Sequence, residues 1–238
     1  MHVSSDRILS NISAETLREH LKDTELVDTY RHGKHLFTET ASGEWLRMHF
    51  GMTGRLKYFK KNSSRPEHVM VLLDFKGGYS LAWVCVRKLG RMGLVKDVDS
   101  FVMEKGLGPD ALKLEEDEFV DILGKKRGYV KSSLMDQETI SGLGNIYTDE
   151  ILFQSGIHPR TPVGELDEGA LRSLFLKTGE VLEEAIECAA DPQAMPDDYL
   201  LPHRGEDGNC PVCGDALKKI KISGRTTYYC PKRQAPEN

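Results

Sequence analysis

The sequence predicts an α+β protein built from three successive parts. From Glu25 to about Val95, stretches such as "EWLRMHF" and "HVMVLLDF" alternate in polarity or are rich in β-branched residues, as strands are. From about Gly108 the apolar residues recur at helical spacing. The last 40 residues hold a linker rich in proline, glycine and aspartate, and then two short strands with cysteines. The order is therefore a β domain, a helical domain and a ribbon.

The strand-rich part is expected to form an antiparallel sandwich or barrel. A further strand, "YSLAWVCV", follows the turn "KGG", and Gly51, Gly54 and Gly90 mark other breaks. Short breaks of this kind suit antiparallel strands, which need no long crossover connection.

The helical part is expected to hold a helix in "LEEDEFVDILG", a short helix near "VKSSLM", and a helix from about Asn145 to Gly156. A longer helix is predicted within Leu166–Cys188. Its buried face is predicted to consist of Leu171, Leu174, Phe175, Thr178, Val181, Leu182, Ala185 and Ile186.

Composition excludes several classes of protein. No run of 18 apolar residues could span a membrane, and the first residues lack the layout of a signal peptide. Five cysteines, three of them in the ribbon, fit a reducing cytosol better than a disulfide framework. We expect a cytoplasmic monomer, associated with the nucleoid if the source is prokaryotic.

The charge distribution points to a polyanionic partner. The net charge is -5, but basic residues gather at 55–65, at 125–131 and from Leu200 to the end of the chain. Each basic run alone is typical of a solvated surface. Three such runs in one chain favour a polyanion.

The stretch "SGLGNIYTDEILF" is a candidate phosphate site. A glycine-rich turn that leads into a helix leaves backbone N–H groups without intrahelical partners, and Asn145 adds an amide there. A capped helix after a flexible turn explains the same residues, so the motif alone leaves both interpretations open.

The ribbon is a candidate zinc site. Cys210 and Cys213 form one knuckle, and Cys230 opens the second after sixteen intervening residues. The position expected for a fourth ligand holds Arg233, and His203 lies on the wrong side of the first knuckle. Either three thiolates and another donor hold zinc, or the hairpin stands without metal.

Two basic residues stand at predicted turns. The strands "ALKKIKI" and "TTYYC" flank "SGR", which places Arg225 at a hairpin tip, where a guanidinium suits forked contact with phosphate. Lys34 begins a strand after a glycine in "RHGKHLF". Each could equally be an ordinary solvated residue.

Together these stretches resemble the formamidopyrimidine-DNA glycosylase / endonuclease VIII family of base-excision repair enzymes. The resemblance runs from about Val3 to Arg233. It is most specific in "GKHLF", "HFGMTGRL", "GLGPDAL", "VKSSLMDQETISGLGNIYTDEILFQSGIHP" and "GRTTYYC".

The resemblance implies a β-sandwich (1–105), a helix–two-turns–helix domain (106–198) and a zinc-finger-like hairpin (199–238), with damaged double-stranded DNA in the cleft between. It implies extrusion of an oxidised base, cleavage of its glycosidic bond through a Schiff base, and strand scission by elimination. An enzyme of this kind needs extrusion because it cannot reach the target inside the base stack.

The resemblance also assigns roles to residues. It implies that Lys34 assists elimination and that Asn145 and Arg225 clamp the phosphates beside the extruded nucleotide. His68 and Lys126 would contact the DNA backbone. Met52, Arg87 and Leu89 would fill the hole left by the base. Leucine at the last of these positions replaces an aromatic residue of many relatives, and it stacks less well on a base.

The start of the chain departs from the family pattern. The family begins with Met-Pro-Glu and a helix, and the proline amine attacks the anomeric carbon. "MHVSSDRIL" is instead similar to a segment some two dozen residues further on, so we expect the proline, the glutamate and that helix to be absent. An α-amine such as that of Met1 can form a Schiff base, but position is the main requirement. A chain of this kind should give no borohydride-trapped adduct with abasic DNA.

Two explanations of this departure stay open. The chain is either a truncated or under-called product of an active enzyme, or a relative that binds lesions without cutting. The intact residues from Lys34 to Arg225 favour the first.

A zinc-ribbon interaction module would explain the ribbon and the basic runs but not the helix pair. The short stretch "LLPHRGEDGNC" leaves the preferred lesion open.

Overall fold

The computed structural model describes residues 1–235. The chain divides into two compact units, Met1–Lys105 and the residues from Gly106 onward.

The first unit contains two four-stranded antiparallel sheets, in the orders β1-β6-β7-β5 and β2-β3-β4-β8. The strands are β1 (His2–Val3), β2 (Leu26–His32), β3 (His35–Thr40), β4 (Trp45–His49), β5 (Gly54–Lys60), β6 (Val69–Asp74), β7 (Tyr79–Cys85) and β8 (Arg91–Val95). Residues of both sheets share one core, with Leu46 and Met48 from one sheet and Val71 and Trp83 from the other. The predicted antiparallel sandwich is therefore confirmed.

Two short helices in this unit were not anticipated from the sequence. Helix α1 (Ala14–His20) begins after Ser13, whose side chain accepts a hydrogen bond from the Thr16 backbone N–H at 3.1 Å. Helix α2 (Val98–Glu104) begins after Asp97, which caps it in the same way. Ser13 and Asp97 are typical N-cap residues, but the strand-rich surroundings obscured this signal in the sequence.

Glycines bring the β4–β5 and β7–β8 loops together. Gly51 has a φ of +65°, and a Cβ at this position would lie 2.8 Å from the carbonyl carbon of Leu89. A Cβ on Gly90 would overlap the ring of Trp83. Larger residues at either position would separate two loops that carry predicted site residues.

The second unit contains four helices and a hairpin among its described residues. They are α3 (Glu116–Gly124), α4 (Val130–Met135), α5 (Asn145–Gln154), α6 (Glu168–Glu187), β9 (Lys218–Ile222) and β10 (Arg225–Tyr229). The predicted helices are all present. Helix α5 is buried on every side from Thr148 to Phe153, so it has no apolar stripe of the usual kind.

The predicted face of α6 is right except at its end. Leu171, Leu174, Thr178, Val181 and Ala185 are buried, whereas Ile186 is 62% exposed. Ile186 lies in the last turn of α6, whereas Phe175 and Leu182 on the same side of the helix pack against the core.

The hairpin is confirmed with Arg225 beside its turn. Ser223 and Gly224 have φ values of 47° and 72°, as a two-residue turn between twisted strands requires. Arg225 pairs with Ile222 as the first residue of β10. None of the helices within residues 1–235 combines the length and the apolar character needed to cross a bilayer.

Candidate nucleic-acid interface

Met52, Arg87 and Leu89 lie together on the two adjoining loops of the first unit. The Arg87 guanidinium donates from Nη1 to the Met52 sulfur at 3.0 Å, and the Arg87 backbone N–H donates to Thr53 Oγ1 at 3.1 Å. Met52 is 67% exposed and Leu89 is 46% exposed. A cation and two large apolar side chains therefore share one exposed site, which can contact both phosphate and base surfaces.

Lys34 lies in the turn between β2 and β3, and its side chain is exposed. Gly33, with a φ of 54°, makes this tight turn possible. His35 follows at the start of β3, and its register partner in β4 is His49. Lys34 thus lies in a hairpin turn next to His35, which pairs with His49.

Burial, followed by His49 and Arg47, lowers the pKa of His35 to about 3. Arg47 Nη1 lies 3.4 Å from Nδ1 of His35, and the His35 ring lies edge-on to Phe101 with centroids 5.2 Å apart. Because a guanidinium can only donate, this contact requires a neutral imidazole with an unprotonated Nδ1. The strand beside Lys34 therefore keeps His35 uncharged at neutral pH.

His68 stands at the beginning of β6 in a left-handed backbone conformation, with a φ of 56°. Its side chain is 54% exposed and its backbone oxygen accepts from the Cys85 N–H at 3.0 Å. The side chain is available to a partner, while the backbone is fixed to the strand that leads to Arg87.

Asn145 is the first residue of α5, after the glycine-rich turn. Its Oδ1 accepts from Lys131 Nζ at 2.8 Å, and its Nδ2 donates to the Thr226 carbonyl at 2.9 Å. A lysine ammonium can only donate and a carbonyl can only accept, so the amide has one possible orientation. One Nδ2 hydrogen is left for a ligand.

Lys131 is a buried cation with three acceptors. Besides Asn145 its ammonium contacts Asp149 Oδ1 and Thr227 Oγ1, each at 2.5 Å. Lys131 and Asp149 have no exposed side-chain surface. Burial lowers the pKa of Lys131, and the Asp149 carboxylate opposes that shift. All three N–H donors of the ammonium are therefore used.

Arg204 completes the network from the linker before the cysteines. Its Nε and Nη2 contact Asp149 Oδ2 at 2.9 and 2.8 Å, and Nη2 also donates to the Thr226 carbonyl at 3.0 Å. The guanidinium lies 4.9 Å from the centroid of the Tyr228 ring. Helix α4, helix α5, the linker and β10 are thus joined by one set of charged hydrogen bonds.

Lys126 and Arg225 occupy more exposed positions. Lys126 Nζ lies 3.4 Å from Asp136 Oδ2, and its side chain is 38% exposed. Arg225 is exposed beside the hairpin turn. The residue after it, Thr226, carries the carbonyl to which Asn145 and Arg204 donate. The hydrogen bond from Asn145 to the Thr226 carbonyl therefore connects the start of α5 directly to the hairpin tip.

The sulfurs of Cys210, Cys213 and Cys230 all lie within 4.8 Å of one another. The Arg233 backbone N–H donates to Cys230 Sγ at 3.4 Å, while its guanidinium lies over the Phe153 ring at 5.0 Å. The three thiols fit three corners of a tetrahedral zinc site, and the fourth corner has no donor from Arg233. This cluster indicates zinc binding.

The sequence analysis missed Lys131, Asp149 and Arg204. Lys131 had been counted only as part of a basic surface run, yet it is fully buried. Its spacing from Asn145 along the chain is 14 residues, and Thr227 is 96 residues away. The sequence did contain one local signal. Asp149 follows Asn145 by four positions, about one helical turn, so its carboxylate must lie on the same face of α5 as Asn145.

This fold and these sites define a helix–two-turns–helix protein with a zinc-finger-like hairpin. Family models match three stretches: the Formamidopyrimidine-DNA glycosylase N-terminal domain at residues 1–92, the Formamidopyrimidine-DNA glycosylase H2TH domain at 106–195, and a zinc finger found in FPG and IleRS at 209–232. The chain belongs to the formamidopyrimidine-DNA glycosylase family.

Individual relatives support this membership. The formamidopyrimidine-DNA glycosylase of Carboxydothermus hydrogenoformans is 31% identical over 243 residues, covering 96% of this chain and 88% of the relative. That of Pelotomaculum thermopropionicum is 30% identical over 242 residues, with the same coverage of both chains.

Solved structures of the Lactococcus lactis enzyme are also similar. One, bound non-covalently to DNA containing an AP site, is 28% identical with a TM-score of 0.87, covering 99% of this chain and 90% of that one. Another, in complex with DNA containing FAPY-dG, is 27% identical with a TM-score of 0.86, covering 99% and 91%.

Proposed function

We propose that this protein is a base-excision repair DNA glycosylase that acts on oxidised bases in duplex DNA. The observation that carries the proposal is the contact between Met52 and Arg87 on two exposed loops beside Leu89. Large exposed apolar side chains held by a cation suit insertion into a base stack. The similar structures of relatives bound to lesion DNA support the same function.

In this proposal the three loop residues fill the space of an extruded nucleotide. Extrusion places the sugar and base within reach of an active site, and a wedge in the vacated space prevents the base from returning. Met52 supplies a flexible apolar chain, Leu89 a branched one, and Arg87 a charge that can reach the opposite base or a phosphate.

The second unit binds the DNA backbone. The free Nδ2 hydrogen of Asn145 and the exposed guanidinium of Arg225 each take a phosphate oxygen, and Lys126 of the same unit adds a backbone contact. His68 of the first unit adds another. Because Asn145 and the hairpin tip meet at the Thr226 carbonyl, the two phosphate contacts keep a fixed spacing.

We further propose that the protein cleaves the DNA strand at the resulting abasic site by β-elimination from the ring-opened aldehyde. A base removes the C2′ proton, the C2′–C3′ double bond forms and the 3′ phosphate leaves, with Lys34 assisting. The lysine is exposed in the turn between β2 and β3, and the adjoining His35 is neutral. Elimination needs a proton acceptor, and a lysine amine can serve as one in its neutral form.

Zinc at the hairpin is proposed to be held by Cys210, Cys213 and Cys230, with a non-protein donor in the fourth position. Bound zinc would supply a structural cross-link between the two knuckles. With three thiolates the site is weaker than a four-cysteine site, and the hairpin is held independently through Asp149, which accepts from the Tyr228 N–H.

The functional division is proposed to be 1–105, 106–198 and 199–238, in a monomer that associates with the nucleoid in a prokaryotic cell. The wedge and Lys34 belong to the first division, Asn145 to the second and Arg225 to the third.

Excision of an oxidised base tests the proposal. A duplex with one formamidopyrimidine or 8-oxoguanine is incubated with the full chain, and the released base is measured by mass spectrometry. We expect release from the damaged duplex that Asn145→Ala and Arg225→Ala reduce about tenfold or more, since each removes a charged or forked contact. If the protein binds the damaged duplex but releases no base, it is a lesion-binding protein and not a glycosylase.

A further inference from the structure

We propose that Arg204 and Asp149 form a positioning pair that sets the orientation of the Asn145 amide and the place of Arg225. The inference rests on the proposed function and adds to it two residues that touch no DNA. Its basis is the hydrogen-bond network in which Asp149 accepts from both Lys131 and Arg204, and Arg204 also donates to the Thr226 carbonyl.

Asp149 is the centre of this network. Its Oδ1 accepts from Lys131, and its Oδ2 accepts from Arg204 and, at 3.3 Å, from the Tyr228 backbone N–H. A carboxylate is an acceptor only, so it can hold two cations and an N–H group at once. Removal of either cation would leave buried charge without compensation.

The network determines where Lys131 points. With Asp149 Oδ1 on one side and Thr227 Oγ1 on another, the remaining N–H of the ammonium is directed at Asn145 Oδ1. This contact keeps Oδ1 of Asn145 pointed at the buried ammonium of Lys131. One hydrogen on Nδ2 of Asn145 is left to bind a phosphate. An amide turned by 180° would place its NH2 group against the ammonium.

Arg204 determines where the hairpin lies. Its Nη2 shares the Thr226 carbonyl with Asn145 Nδ2, and its plane lies against Tyr228. Thr226 directly follows Arg225, so the strand that carries the tip guanidinium is fixed one residue away. The guanidinium fork makes these contacts simultaneously, which a lysine ammonium on a flexible stem would not reproduce.

The linker that carries Arg204 is itself held in place by α5. Arg204 follows a short 3₁₀ turn at Leu201–His203, and that turn is itself held by Glu150, whose carboxylate accepts from the Leu200 and Leu201 N–H groups at 3.0 and 2.8 Å. Two consecutive acidic residues of α5 thus bind the linker, one through its backbone and one through its arginine.

The test is a double-mutant cycle between Arg204→Met and Asn145→Ala in the full chain. Affinity is titrated at fixed salt for a duplex with a tetrahydrofuran abasic analogue and for the matched intact duplex. We expect Arg204→Met to weaken lesion binding about tenfold and intact binding less than twofold. In the Asn145→Ala background the same change should weaken lesion binding less than threefold, because coupled residues are not additive.

Arg160→Met is the matched control. Arg160 Nη2 donates to the Lys221 carbonyl of the same hairpin at 3.4 Å, and the contacts described for Arg160 lie outside the Asp149 network. It should leave lesion preference within twofold of the parent chain. Equal losses for the two arginine variants would show a general effect on the hairpin and overturn the proposal, as would full additivity of Arg204→Met with Asn145→Ala.

A measurement without DNA separates this inference from the proposed function. The ¹H–¹⁵N signal of the Asn145 side-chain amide should shift and exchange faster with solvent in Arg204→Met, and Arg204→Lys, which keeps the charge, should restore part of the protection. If Arg204→Met does not fold, Arg204→Lys alone should still show the faster exchange. An unchanged amide signal contradicts positioning, whereas a parent chain with no lesion preference contradicts the proposed function alone.

Discussion

Arg87 and Met52, on loops 35 positions apart in the sequence, are joined by a hydrogen bond of 3.0 Å from the guanidinium to the thioether sulfur. The contact holds a flexible side chain in an extended, exposed position. Thr53 fixes the Arg87 backbone from the same loop. The pair is therefore a preformed wedge, since both side chains are ordered by each other.

Arg87→Ala and Met52→Ala should each weaken binding to abasic-analogue DNA about fivefold, and the double variant should lose less than the product, because contacting residues are coupled. Binding to intact duplex should change little. Lys76→Ala, at an 88% exposed turn lysine of the same unit, is the control for loss of positive charge. Full additivity would show that the two side chains act independently.

Lys34→Ala should reduce strand cleavage at an abasic site more than 10-fold while lesion affinity falls less than about threefold, because a group that moves a proton acts mainly on the chemical step. Lys34→Arg keeps the positive charge but not an amine that can lose its proton, so it should bind normally and cleave poorly. If Lys34→Arg cleaves like the parent chain, Lys34 acts through its charge alone.

The first unit should lose stability as the pH falls from 7 to 5. The folded-state pKa of His35 is about 3, below the value near 6.5 of an unfolded chain. The unfolded state therefore binds the proton first, and the stabilisation present above pH 6.5 is lost progressively towards pH 3. With allowance for solvent screening the loss by pH 5 is about 1 kcal/mol.

Tryptophan fluorescence measures this change in one unit, because Trp45 and Trp83 both lie within Met1–Lys105. His35→Phe keeps a ring beside Phe101 and should reduce the pH dependence of the free energy of unfolding. The part that remains includes His49, whose pKa is also lowered by burial. His20→Gln, which removes a histidine exposed on α1, is the control. An unchanged pH slope in His35→Phe would show that His35 titrates normally.

Arg233→Cys should complete the zinc site and raise zinc affinity by about 100-fold or more, since a fourth thiolate closes the tetrahedron. Lys232→Cys adds a thiol one position away and should not have this effect. Competition with a chromophoric chelator measures both. Removal of zinc by a chelator should leave the hairpin of the parent chain folded. If the parent chain binds zinc as tightly as Arg233→Cys does, a further ligand must exist.

Local patterns were sufficient for most of the fold. Alternation predicted the strands of the sandwich, and the turn at Ser223 and Gly224 followed from the residues between two short strands. The prediction that Ile186 is buried was wrong, because periodicity does not indicate where the packing partner of a helix ends.

The buried network could not be predicted in the same way. Lys131 appears in a basic run and would be solvated in most proteins, and its acceptors come from α5 and from β10. Only the three-dimensional structure brings an acid, a hydroxyl and an amide to one ammonium. The proposed phosphate contacts of Asn145 and Arg225 depend on this long-range arrangement as much as on their motifs.

The central claim is that the chain recognises a lesion through preformed contacts. Its most direct test is a titration of the full chain, at one fixed salt concentration, against two duplexes that differ only in a single tetrahydrofuran abasic analogue. Salt must be fixed because phosphate contacts make affinity depend steeply on it. We predict binding to the lesion duplex at least about 10-fold tighter, with the difference largely abolished in Asn145→Ala. Equal affinity for the two duplexes would contradict the account.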